Sequence, residues 1–157
     1  MTPKSLLRSP DAKSPKEKFL TGKFEEILDD ETVVNKKTVS KIILTSGKVY
    51  YDLIKYRDKE KIGKTAIIRI EQFYPFKKDT LQIFLASYPK AEKIIWVQEE
   101  PKNMGAWNFL APRLDKLLSA NQTLKCVSRP EGASPGVGSA KVSAQQQKTL
   151  VSEAFQV

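Results

Sequence analysis

Four short runs of β-branched and apolar residues, each followed by a stretch of helical periodicity, constrain this chain more than any other feature. KIILTS (41–46) leads through Gly47 into a segment where Val49, Leu53 and Ile54 recur at helical spacing. TAIIRI (65–70) precedes Leu81, Ile83, Phe84 and Leu85, with Pro75 and Asp79 marking a helix start. KIIWVQ (93–98) precedes Trp107, Leu110, Leu114, Leu117 and Leu118, and TLKCVS (123–128) precedes a final helix over 144–155. Alternation of this kind requires crossover connections. It predicts an α/β fold in which a mainly parallel sheet is flanked by helices on both faces, with right-handed crossovers.

At 157 residues and 40% apolar content the chain suffices for one core, and we divide it in two. Residues 1–38 read as a polar lead-in packed on the domain, and 39–157 as the α/β domain itself. Within the lead-in, Ser14, Pro15 and Glu17 match a helix start with a capping box, and Gly22 would stop that helix. Phe24, Ile27 and Leu28 then supply apolar anchors.

In open parallel sheets ligands gather beyond the strand C-termini. Here those ends carry Ser46-Gly47-Lys48, Glu71-Gln72, Glu99-Glu100 and Arg129-Pro130, so any site belongs on that rim. Ser46-Gly47-Lys48 matches neither GxxxxGK[ST] nor GxGxxG, and a simple strand-to-helix turn explains it better than a phosphate cradle. Glu71, Glu99 and Glu100 could be imagined as an acid/base group, but helix capping or pairing with arginines such as Arg69 and Arg129 suits them better. The chain has no histidine, which removes the commonest general base and metal ligand. A self-contained hydrolase or zinc site is not expected. Net charge is +9, yet the lysines are scattered, so a solvated basic surface explains them better than a nucleic-acid interface. Cys126 is the one cysteine and reads as a reduced, strand-buried thiol. No apolar run approaches the roughly 20 residues that span a bilayer.

Glu100-Pro101 followed by Asn103, Met104, Gly105, Ala106 and Trp107 forms a chemically unusual turn ahead of a helix. Either it packs on its own domain or it offers Met104 and Trp107 to another subunit. The glycine-rich ASPGVGSAK (133–141) poses the same choice.

Taken together, the blocks MTPKSLLR (1–8), SGKVYYDL (46–53), RIEQFYPF (69–76), QEEPKNMGAW (98–107) and RPEGASPGVGSAKV (129–142) resemble the C-terminal region of the thiamine-dependent component of 2-oxoglutarate dehydrogenase. The likeness runs nearly end to end, and EEPKNMGAW looks like this family and unlike its pyruvate or branched-chain relatives. The resemblance implies a three-layer sandwich similar to the transketolase C-terminal domain, following thiamine-binding domains in a longer chain. It implies a parent enzyme that decarboxylates 2-oxoglutarate with thiamine diphosphate and Mg and passes succinyl to a lipoyl group on a succinyltransferase partner. The cofactors belong to the regions upstream, so this fragment is expected to bind none and to be inert alone. Its expected work is homodimer assembly and interdomain scaffolding through Pro101, Asn103, Met104, Gly105 and Trp107. The alternative is a nucleotide or acyl-CoA effector site using Arg8, Lys48 and Arg57. Ser143 stands where many relatives have a histidine, so no role of that imidazole carries over. The location implied is a bacterial cytoplasm, or a mitochondrial matrix in a eukaryote, with no membrane or nucleic-acid partner.

Overall fold

The computed structural model describes residues 4–20 and 22–157, so the Met1 end of the first block lies outside the described residues. Its centre is a five-stranded sheet: β1 (Ile27–Leu28), β2 (Lys41–Thr45), β3 (Thr65–Ile70), β4 (Lys93–Pro101) and β5 (Thr123–Arg129). The spatial order is β1-β3-β2-β4-β5, with β1 antiparallel to β3 and the other described neighbours parallel. Among the described residues five α-helices accompany it: α1 (Lys16–Leu20), α2 (Val49–Lys59), α3 (Lys78–Ala86), α4 (Trp107–Asp115) and α5 (Ala140–Gln156).

The central strands are apolar on both faces because both faces are covered. Side chains alternate across a strand, so Ile42, Leu44, Ala66, Ile68, Ile94 and Trp96 pack under α3 and α4. The intervening Ile43, Ile67, Ile95, Val97 and Val127 meet Val49 and Leu53 of α2 and Leu150, Val151 and Ala154 of α5. This is the expected mainly parallel α/β fold in three layers. Burial of each such valine, leucine or isoleucine side chain contributes roughly 1.5–3 kcal/mol.

Several boundaries differ from expectation for identifiable reasons. Ile27 and Leu28 are a two-residue edge strand paired with Ile70 and Arg69, which period-two patterning cannot reveal at that length. The last helix begins at Ala140, four residues early, because the Ser139 side chain accepts from Val142 N at 3.4 Å and caps it. The fourth helix stops at Asp115, and Leu117 and Leu118 pack on the core from the turn that follows. β4 runs on to Pro101 through a register shift between Val97 and Pro101, and that irregularity shapes the rim loop. Cys126 lies on β5 as anticipated but only half-buried, and burial raises its thiol pKa.

Candidate functional site

The chain winds outward from β2 to β3 on one side and to β4 and β5 on the other, and the crossover helices take opposite faces accordingly. The switch point therefore falls between β2 and β4, where a crevice is expected beyond the strand C-termini. A cleft of about 430 Å³ occupies that place. Phe73, Tyr74, Trp96 and Phe109 give it an aromatic lining, with Gly47 at the start of the β2-α2 turn and Gln98 at its floor. Gly47 has φ +71°, a left-handed conformation that turns the chain from β2 into α2.

Gln98 organises the rim loop. It follows Trp96 by two residues on the same face and is 3% exposed. Its Oε1 accepts from the Trp96 indole N–H at 2.8 Å and from the Trp107 backbone N–H at 3.0 Å. Its Nε2 donates to the carbonyls of Met104 at 2.8 Å and Pro101 at 3.0 Å. One amide thus ties the floor of the cleft, both ends of the loop and the first residue of α4 together, as buried polar groups require. Gly105 fits the arrangement closely: its φ is +66°, and a Cβ there would lie 3.0 Å from Gln98 Nε2. Asn103 closes the outer side by donating to Gly132 O at 3.0 Å and accepting from Gly132 N at 3.2 Å, which joins this loop to the glycine-rich segment. The five loop residues thus form one ordered unit built on their own domain, with Trp107 half-buried against the core and Met104 half-buried at the rim. Sequence reasoning misses Gln98, for which the one signal is a polar residue two positions beyond a strand tryptophan, on the same inward face.

The three basic residues considered for an effector are not brought together. Lys48 starts α2 at the rim, where its Nζ lies 2.7 Å from Glu99 Oε1 and 4.0 Å from Asp52 Oδ2. Arg57 lies nine residues further on, about 13 Å along the helix axis at 1.5 Å per residue. There it is buried at the opposite end of the sheet in an ion pair with Asp30, and its Nη2 donates to Thr32 Oγ1 at 2.7 Å. Asp30 Oδ2 also accepts from Ile67 N at 2.8 Å, so this pair fastens α2, β3 and the segment after β1 to one another. Arg8 is exposed in the lead-in. Two of the three rim glutamates pair with cations: Glu99 with Lys48, and Glu71 with Arg69 at 3.6 Å, while Glu100 lines the cleft. Arg129 instead donates to Gln147 at 3.0 Å, and Gln147 donates to Asp52 at 2.9 Å. Among the described residues no three His, Cys, Asp or Glu groups are placed to hold a metal ion, and no helix is long and apolar enough to cross a membrane.

The profile of the 2-oxoglutarate dehydrogenase C-terminal family matches residues 13–155. The 2-oxoglutarate dehydrogenase E1 component of Cupriavidus necator is 43% identical over 155 residues, covering 99% of this chain and 16% of that protein. The Rickettsia typhi protein of the same name is 46% identical over 159 residues, covering 99% and 17%. The 2-oxoadipate dehydrogenase complex component E1 of Xenopus laevis is 45% identical over 152 residues, covering 95% and 16%. The chain therefore spans about one sixth of the length of these relatives. With the match covering most of its length, the chain belongs to the 2-oxoglutarate dehydrogenase C-terminal family.

Proposed function

We propose that this chain is the C-terminal domain of a 2-oxoglutarate dehydrogenase E1 component and serves homodimer assembly and interdomain scaffolding without turnover of its own. In the longer enzyme, residing in a bacterial cytoplasm, 2-oxoglutarate is decarboxylated and its succinyl group passes to the lipoyl succinyltransferase partner. The observation that carries the scaffolding role is the Gln98-centred rim loop, which holds Met104 and Trp107 in place before any partner arrives. Pre-ordering of this kind lowers the entropic cost of association. It also matters to a reaction centre assembled between subunits, where a displacement of about 1 Å costs on the order of a hundredfold in rate.

The residues present do not fit thiamine diphosphate and magnesium. The rim carboxylates Glu71 and Glu99 are engaged by Arg69 and Lys48, and the cleft walls are aromatic. That cofactor pair is assigned to the regions upstream. The purified chain should consume no 2-oxoglutarate and bind no thiamine diphosphate by calorimetry, whereas joining it to its upstream sequence should give both. In that longer protein, Met104→Asp with Trp107→Ala should shift sedimentation toward monomer. Turnover by the chain alone, or an unchanged dimer in the variant, would refute the assignment.

One observation favours a second role. The aromatic switch-point cleft, whose lining residue Gly47 precedes Lys48 in the chain, has the shape and stacking surfaces for a nucleotide or acyl-CoA effector. Calorimetric titration with adenine nucleotides and acyl-CoA tests it, with Lys48→Ala as the probe, since Arg8 and Arg57 lie away from the cleft. A flat titration removes this reading.

A further inference from the structure

The lead-in carries apolar surface that its own domain does not cover. Leu7, Phe19, Leu20 and Phe24 are 70, 78, 74 and 65% exposed, against near-complete burial of the sheet residues. Neither α1 nor the 3₁₀ turns before it (Lys4–Leu6 and Pro10–Ala12) bury a single residue. Such a five-residue helix is far below the length that persists by itself in water. Surface ion pairs join Asp11 to Lys55 of α2 at 2.7 Å and, within the lead-in, Lys18 to Glu31 at 2.9 Å, and exposed pairs of this kind contribute little. Phe19 and Phe24 nevertheless line one shallow depression of about 320 Å³, floored by Leu28 and edged by Arg69 and Glu71 at the β1-β3 side of the sheet.

We infer that Phe19, Leu20 and Phe24, with Leu7, are the docking surface for the upstream part of the same longer polypeptide, which seats an apolar side chain in that depression. The inference rests on the proposed function above and names where the interdomain contact lies. Two observations select this occupant over a second copy of the chain. The segment 4–24 holds six basic residues and two acidic ones, so an isologous contact through it would set like charge against like charge. The relatives share nearly the whole of this chain, lead-in included, and continue for about five times its length beyond it. A tethered partner acts at millimolar effective concentration, which a separate copy at micromolar concentration does not match. Its contact surface is apolar with an acidic margin.

Amide exchange of residues 16–20 and 24, measured in this chain alone and in the longer protein, decides the matter. At least tenfold slower exchange in the longer protein is expected, and Phe19→Asp with Phe24→Asp in that protein should restore the fast rates. A second, conservative variant, Phe19→Leu, should keep most of the protection. Equal rates in both proteins would overturn the inference while leaving the scaffold reading intact. Protection that appears in the short chain and grows with its concentration would assign the surface to a second copy and overturn the occupant. Native protein from its source with the mass of this chain alone would instead sink the proposed function, and the occupant with it.

Discussion

Replacing Gln98 by leucine tests the structural core of the proposal, because the shape is nearly kept while the hydrogen bonds of its amide are lost. Trp96 is 1% exposed, so its indole N–H would be left without a partner in a dry setting. A buried donor orphaned in this way costs about 1–3 kcal/mol. Trp107 N–H and the Met104 carbonyl are only half-buried beside the cleft, so water replaces part of what they lose. Pro101 O keeps its bond from Met104 N at 2.8 Å. The combined loss is about 3 kcal/mol, or roughly 6–12 °C in Tm for a domain of this size. The two tryptophans of the chain both bond to Gln98, so urea unfolding followed by tryptophan fluorescence reads this site directly. Exchange of the Trp107 amide should speed up by about a hundredfold, since 1.4 kcal/mol is tenfold. Gln98→Glu adds a pH signature. The introduced carboxyl faces two carbonyl oxygens, so its folded pKa is raised above the ordinary carboxylate value. The penalty is then full above the folded pKa, shrinks as pH falls through it, and is gone below the unfolded value of about 4.3. A Gln98→Leu protein within about 0.5 kcal/mol of the parent, with Trp107 exchange unchanged, would refute the idea that this amide holds the loop.

Two glycines with similar φ should respond differently to alanine. Gly47→Ala meets nothing within 4 Å and should cost only the left-handed backbone term of about 1–2 kcal/mol, whereas Gly105→Ala also presses on the Gln98 amide and should cost more, both read by urea unfolding. Arg57→Leu leaves the Asp30 carboxylate buried without its cation and should lower stability by about 3–5 kcal/mol, with no loss of rim-loop protection in amide exchange. Lys41 is held below the usual lysine pKa by burial first and by Lys93 and Lys125 second. Its penalty is therefore full below the folded pKa and fades as pH rises toward 10.5, so the stability of the parent relative to Lys41→Met should climb over that alkaline window. Burial raises the Cys126 pKa, so iodoacetamide at pH 7 should label the folded chain more slowly than the urea-unfolded one.

The layered fold was legible because fully buried parallel strands and amphipathic helices leave strong, distinct periods, and the rim followed from strand direction alone. Lys48 and Glu99 were both placed on the rim by that logic, and they meet there. What stayed hidden depends on contacts between segments distant in sequence. Arg57 is an effector-site candidate on its charge, yet Asp30, twenty-seven residues earlier, draws it into the interior. Nothing local to either residue encodes that pairing. Asn103 and Gly132 meet across twenty-nine residues for the same reason.

Gln98 shows why scaffold sites resist sequence reading. A catalytic site announces itself through residues whose chemistry is conspicuous anywhere, such as histidine, whereas a positioning site uses ordinary residues whose importance lies in how many partners they satisfy. The amide of Gln98 reaches partners at positions 96, 101, 104 and 107, all within nine residues of it. The set was therefore local enough to find once the shift at Val97 to Pro101 turned the chain back over its own strand. A regular β4 would have carried Met104 and Trp107 away from residue 98, and the same amide would then have had nothing to bind. The irregularity is thus the structural cause of the rim surface. Loop order and the integrity of Gln98 should be lost together in any variant that straightens β4.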